Sequence, residues 1–255
     1  VCLLVVAYRV LPGTPLLIGA NRDEFLNRPA TPMTVLRSTG PRTLGGRDEV
    51  AGGTWLALNE HGVFAGLTNQ PLGEARDPAR RSRGELPLAL TAHPRATRGA
   101  ADFIDHYRPS DYNGSWLLTG DRESLYFIDF TGQDETRAVP LDPGLYVLEN
   151  RPLGDDSPKA DRVGAALGPA LEAGNALSAL RQVLANHTGG PTEPGGPTSS
   201  ANCVHLEGYG TRSSCLVRWD ENPSVPPQVW AADGPPCTAP FVDVSPLWHP
   251  VTASR

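Results

Sequence analysis

Short apolar runs closed by glycine- or proline-containing breakers recur along this chain, and each pair of runs is a hairpin signal. Residues 2–8 and 16–20 enclose a Leu-Pro-Gly-Thr-Pro turn, 54–59 and 63–68 enclose Glu60-His61-Gly62, and 115–119 and 124–130 enclose Gly120-Asp121-Arg122-Glu123. Breakers this short join antiparallel strands, because a parallel crossover needs a dozen or more residues. Further strands are expected at 144–149, 203–207, 212–219 and 228–232, while the stretch between the first two hairpins reads as a Pro-rich connection.

Helical patterning is confined to two regions. The first covers 86–106 and is divided at Pro94; the second covers 158–186, with Gly168-Pro169 and Gly174 as interruptions. Residues 188–200 are rich in Gly, Pro and Thr and read as a surface loop, either an ordinary insertion or a lid over a pocket. Strands at both ends with helices between them give an α+β chain of two antiparallel sheets covered by helices. At 255 residues, one domain spanning 1–255 with a substantial core is expected.

The charge balance, 22 basic against 28 acidic residues with a net charge of -6, includes no dense Lys/Arg segment, so no nucleic-acid partner is expected. No run approaches the roughly 20 apolar residues of a membrane span. Residues 1–8 lack a basic start and are interrupted by Arg9, so neither a signal peptide nor, with no leader before Cys2, a lipoprotein is expected. Cys2, Cys203, Cys215 and Cys237 lack the short paired spacings of a zinc site, and His205 near Cys203 reads as a strand-packed histidine, with a metal ligand as its alternative. The expectation is therefore no metal, no cofactor, free thiols rather than a Cys203–Cys215 disulfide, and a reducing cytoplasm.

Cys2 has a chemical option closed to interior cysteines. Once the preceding residue is removed, its thiol lies beside its own α-amine. The amine's reference pKa is about 7.7–8.0 and the thiol's about 8.5, so transferring the proton costs roughly 1 kcal/mol or less. Such a cysteine carries its own base, and the amine is better matched to neutral pH than a lysine near 10.4. Removal of Val1 is required for this chemistry. The alternative is a small apolar residue that merely begins a strand. The hairpin brings back toward Cys2 the polar run Asn21-Arg22-Asp23-Glu24, which follows the apolar 17–20 strand.

The ordered motifs make the pattern specific. Cys2-Leu3-Leu4, Ala20-Asn21-Arg22-Asp23-Glu24-Phe25 with Arg28-Pro29, Gly45-Gly46-Arg47-Asp48 and Ala51-Gly52-Gly53-Thr54-Trp55-Leu56 are followed by Thr68-Asn69, Ser82-Arg83-Gly84 and Leu117-Leu118-Thr119-Gly120-Asp121. Asn150 with Pro158-Lys159, and Tyr209-Gly210-Thr211-Arg212-Ser213-Ser214, complete the set. Over nearly the whole chain this resembles the NRDE family, also called the Transport and Golgi Organisation 2 family. That family is in turn similar to N-terminal-nucleophile hydrolases with Cys at position 2, such as bile salt hydrolase and penicillin V acylase.

The resemblance implies a four-layer αββα sandwich. It also implies Cys2 as nucleophile, Asp23 orienting its amine or thiol, Asn69 and Asn150 binding the amine or an oxyanion, and Arg212 near the pocket. Asn21 and Arg22 are candidate substrate-binding residues. In the hydrolases an arginine stands where this chain has Ala20, whereas here the arginine is Arg22; an ion pair of Arg22 with Asp48 or Glu49 is an equal alternative. Asn69 and Asn150 have a turn role as their alternative, and Arg47-Asp48 with Gly52-Gly53 reads as a structural turn packing Trp55. The functional expectation is an amidohydrolase or acyltransferase acting on a nonpeptide amide or related acyl group of a small molecule. The alternative is a haem- or lipid-binding trafficking protein that reuses the pocket for a hydrophobic ligand.

Overall fold

The computed structural model describes residues 2–71, 76–132, 136–189 and 200–249. Val1 and most of the expected 188–200 loop (190–199) lie outside them. The elements follow in chain order: β1 (Leu3–Leu11), β2 (Thr14–Phe25), β3 (Ala30–Arg37), β4 (Thr43–Asp48), β5 (Leu56–Asn59), β6 (Phe64–Asn69), α1 (Glu85–Leu90), α2 (Ala96–His106), β7 (Ser115–Gly120), β8 (Leu125–Phe130), β9 (Ala138–Pro140), β10 (Gly144–Leu148), α3 (Pro158–Glu172), α4 (Ala176–Leu184), β11 (His205–Leu206), β12 (Tyr209–Arg218), β13 (Gln228–Ala232) and β14 (Val242–Asp243).

The strands form two antiparallel sheets. The first has the order β10-β1-β2-β12-β13-β14, with β11 on β12; the second runs β3-β4-β5-β6-β7-β8-β9. Alternation along β1 builds the layers, because successive side chains leave a strand on opposite faces. Leu4, Val6 and Tyr8 join Leu56, Phe64 and Leu118 between the sheets. Leu3, Val5 and Ala7 join Val163, Leu167, Leu180 and Leu184 of α3 and α4. On the far side, Ala65, Leu67, Leu117 and Ile128 pack with Leu86, Leu90 and Phe103 of α1 and α2. The result is helices, sheet, sheet, helices. Burial on both faces explains why residues 3–8 form an unbroken apolar run instead of alternating with polar residues.

The hairpins fall where the breakers place them, with Gly13 and Gly62 supplying positive φ at the β1–β2 and β5–β6 turns. Several boundaries differ from the sequence expectation. The Pro-rich connection contains two strands: β3 is an edge strand, and its register shifts between Thr31 and Thr34, around Pro32, where a missing N–H is tolerated. Pro169 lies inside α3 and does not interrupt it, since it sits on the exposed side while Val163, Leu167 and Ala170 are buried. The expected 203–207 strand is reduced to β11, whereas β12 starts three residues earlier than its expected 212.

All four cysteines are free thiols. Cys215 faces the inter-sheet core, and Cys203 lies against Cys237, so the Cys203–Cys215 proximity considered from sequence does not occur. No helix among the described residues is long and apolar enough to cross a membrane.

Candidate active site

Cys2 sits just before β1 and lines a pocket of about 240 Å³ at the strand ends of the two sheets. The pocket is also lined by Arg22 and Asp23 of β2, Asp48, Trp55, Asn69 at the end of β6, and Arg76 and Arg83. The β1–β2 pairing, Leu3 opposite Asn21, brings the polar end of β2 beside the cysteine, as the hairpin pattern requires.

Asn150 follows β10, the strand paired with β1 on its other edge. Its Oδ1 accepts the Cys2 backbone N–H at 3.0 Å, and its Nδ2 donates to the Asn69 main-chain carbonyl. Both ends of this amide are thus committed to positioning. Asn69 lines the same pocket.

Asp23 is 4% exposed. Thr211, opposite it on β12, donates its hydroxyl to Asp23 Oδ1 at 2.6 Å, while Asp23 Oδ2 has no hydrogen-bond partner among the described residues. Burial raises the Asp23 carboxyl above its ordinary pKa, opposed by the Thr211 hydrogen bond and the charge of Lys159. Burial likewise raises the Cys2 thiol, with the Asp23 charge adding to it; the Asp23 N–H and the Arg22 charge act in the opposite sense.

Lys159 was matched as part of a motif but given no role by sequence reasoning. It is the chain's single lysine, is 2% exposed, and its Nζ has no hydrogen-bond partner among the described residues. Burial lowers its pKa, while Glu149 and then Asp23 raise it. Glu149 is buried with it and accepts the hydroxyl of Ser157, the residue that caps α3. In a chain whose other basic residues are all arginine, a lone lysine is the available signal, because a buried ammonium gives up its proton more readily than a guanidinium.

Arg22 reaches across to the second sheet. Its Nη2 lies 3.1 Å from Asp48 Oδ2, and its guanidinium stacks 4.4 Å from the Trp55 ring centroid. Arg28 binds the same carboxylate at 2.7 and 3.0 Å, and the Val50 and Ala51 N–H groups also donate to it. The ion-pair alternative with Asp48 is therefore realised while Arg22 still lines the pocket. Trp55 fits this place because Gly46 has no side chain; a Cβ there would lie 2.2 Å from the indole.

The Gly52-Gly53-Thr54 and Ser82-Arg83-Gly84 motifs meet each other. Thr54 N–H donates to the Gly84 carbonyl at 3.0 Å, and a Cβ on Gly53 would lie 2.4 Å from the Gly84 carbonyl carbon. This contact delivers Arg83 to the pocket, where burial and then the Arg76 charge pull its pKa down to about 10. Arg83 donates to the Gly114 carbonyl, and neither it nor Arg76 pairs with a carboxylate among the described residues.

Asn150 joins the site through its hydrogen bonds to Cys2 and Asn69, whereas the side chains of two other sequence candidates make their hydrogen bonds elsewhere. Asn21 is buried, donating to the Leu184 and Asn202 carbonyls and accepting from Ser214. Arg212 occupies the register shift between Thr211 and Ser213 and donates to the Leu26 carbonyl. The structure thus groups Cys2, Arg22, Asp23, Asn69 and Asn150, and does not bring Asn21 or Arg212 side chains to that group.

The layered architecture, with a pocket at Cys2, defines the class: the chain has an N-terminal-nucleophile-hydrolase-like fold. It superposes on the C2A variant of conjugated bile acid hydrolase from Clostridium perfringens with a TM-score of 0.59, at 10% identity over 98% of this chain and 94% of that one. An N-acylethanolamine-hydrolyzing acid amidase ortholog from Caenorhabditis elegans gives 0.57, at 14% identity over 88% and 94%. Residues 1–226 match the Transport and Golgi organisation 2 family, and the chain belongs to it. The Mus musculus homolog is 26% identical over 247 residues, covering 81% of this chain and 83% of its own length. The Homo sapiens homolog is 29% identical over 234 residues, covering 80% and 82%.

Proposed function

We propose that this protein is a cysteine N-terminal-nucleophile amidohydrolase or acyltransferase that forms an acyl-enzyme at Cys2. The observation carrying this reading is the Cys2 N–H held by Asn150 Oδ1 at a pocket that Asp23 and Asn69 also line. Removal of whatever precedes Cys2 turns that nitrogen into an α-amine with additional hydrogens. Asn150 retains one of them, and the open Oδ2 of buried Asp23 is an acceptor for another.

The thiol proton passes to the amine, and Sγ attacks the substrate carbonyl carbon. The Asn69 side-chain amide stabilises the oxygen as it becomes negative, an effect that is large where a donor is held in place before the charge develops. The ammonium returns its proton to the leaving nitrogen, the C–N bond breaks, and a thioester remains. Water, or an acceptor amine, then attacks the thioester by the reverse proton route.

Arg76 and Arg83 at this pocket favour a small-molecule substrate bearing an anionic group. The charged lining supports this more than it supports a haem or lipid cargo, whose apolar surface would strand these guanidinium groups. Incubating the mature protein with an activated acyl ester and mapping the adduct tests the proposal: acylation is expected on Cys2 and absent in Cys2→Ala. Equal acylation of all four cysteines removes it.

A further inference from the structure

Away from the pocket, His187, Cys203, His205 and Cys237 converge. Cys203 Sγ lies 3.7 Å from Cys237 Sγ and 3.6 Å from His205 Nε2, and His205 Nε2 lies 3.2 Å from Cys237 Sγ. The ligand atoms of all four residues fall within 4.8 Å of one another. Bond lengths of about 2.3 Å to sulfur and about 2.0–2.1 Å to nitrogen give a tetrahedral ion S···S edges near 3.8 Å and S···N edges near 3.5 Å. The three measured separations lie within about 0.3 Å of those edges. The sulfurs are too far apart for the roughly 2.05 Å of a disulfide.

We propose that these four residues form a structural zinc site, with Cys203 and Cys237 as thiolates and His187 and His205 as neutral imidazoles. The His187 tautomer is already set: its Nδ1 lies 3.1 Å from the Cys203 carbonyl, so Nδ1 carries the hydrogen and Nε2 is left to the metal. A ligating histidine is characteristically oriented by such a hydrogen bond from its other nitrogen. Two thiolates and two imidazoles in a tetrahedron suit Zn²⁺. The ligands come from three separate segments: the turn after α4, the 203–205 strip, and the loop after β13. Their separations of 16, 2 and 32 residues match no short zinc spacing, which is why the cysteine pattern gave no sign of a site.

The metal would pin a strip that supports the pocket. Within it, the Asn202 carbonyl accepts from Asn21 at 2.7 Å, and Val204 N–H donates to Thr211 Oγ1 at 2.9 Å. Thr211 in turn holds Asp23. The ion therefore acts by position, with no part in bond making, and its uptake releases the thiol protons.

The test is metal analysis of reduced, untagged protein equilibrated with Zn²⁺ and then dialysed against metal-free buffer. About one zinc per chain is expected, retained in Cys2→Ala and bound at least tenfold more weakly in Cys237→Ser, an exposed position chosen so that the fold survives. Cobalt in place of zinc is expected to show a thiolate-to-metal charge-transfer band that is diminished in Cys237→Ser. Wild-type protein with less than a tenth of an equivalent of zinc overturns the proposal. Zinc lost on Cys2→Ala but kept in Cys237→Ser overturns it equally, by placing the ion in the pocket.

Discussion

The Cys2 backbone nitrogen donates to Asn150 Oδ1 at 3.0 Å across 148 positions of sequence, tying Cys2 to a residue just beyond its partner strand β10. Asn150→Ala frees the amine to rotate. Turnover is expected to fall about 100-fold, the scale of a misplaced reacting group, while stability falls by only about 1 kcal/mol for a part-buried hydrogen bond. Steady-state kinetics beside urea unfolding separate the two, and a stability loss without a turnover loss would contradict the positioning role.

With Cys2 as the proposed nucleophile, Asp23 is expected to govern the acid side of the pH profile. Its carboxyl is raised by burial and held down by the Thr211 hydrogen bond and by Lys159. Taking either away favours the neutral acid, so Thr211→Val and Lys159→Met are each expected to move the acid limb of kcat/KM to higher pH, with the plateau changed less. A limb that stays in place in both variants would assign it to another group.

Asp48 binds Arg22 and Arg28 together. Burial alone would raise its carboxyl, but the Arg28 hydrogen bond, the Ala51 N–H and the two arginine charges bring it below its ordinary value. A depressed folded pKa contributes stability that is present above the unfolded carboxyl value, about 3.9, and is lost as pH falls through the folded one. Asp48→Asn is expected to cost about 2 kcal/mol at neutral pH by leaving buried Arg22 with only its longer, 3.5 Å contact to Glu24, and to flatten the loss of stability below about pH 4. Chemical denaturation from pH 2 to 7 measures both.

Gly84 approaches another backbone. A Cβ there would lie 2.8 Å from Gly53 Cα and 2.9 Å from Thr54 N, atoms that cannot rotate away. Gly84→Ala is expected to cost about 1–3 kcal/mol and to raise KM more than it lowers kcat, since Arg83 moves with it. Gly164→Ala, in α3 with open space around the site, is expected to stabilise by about 0.5–1 kcal/mol. Thermal melts of the pair give the contrast.

The legible part of this fold was the hairpin grammar. Apolar runs around Gly13 and Gly62 marked β1, β2, β5 and β6 because both the turns and the burial are local. β3 and β4 were hidden because Pro32, Gly45 and Gly46 are poor strand formers, kept where an edge and an indole need them. At the site, Cys2 and Asp23 could be associated through one hairpin. Arg83 reaches the pocket, and Thr211 and Lys159 reach Asp23, through long-range packing, which has no local signature. Asn21 looked equivalent to Asp23 in the polar run, yet its amide is used inside the fold.

In the proposed mechanism Cys2 acts with its own amine. Acyl transfer from an activated ester should be compared between protein beginning at Cys2 and protein keeping one residue before it, with intact mass verifying each start. Rapid thioester formation on Cys2 only in the chain that begins there is the predicted result; equal rates in both would contradict the account.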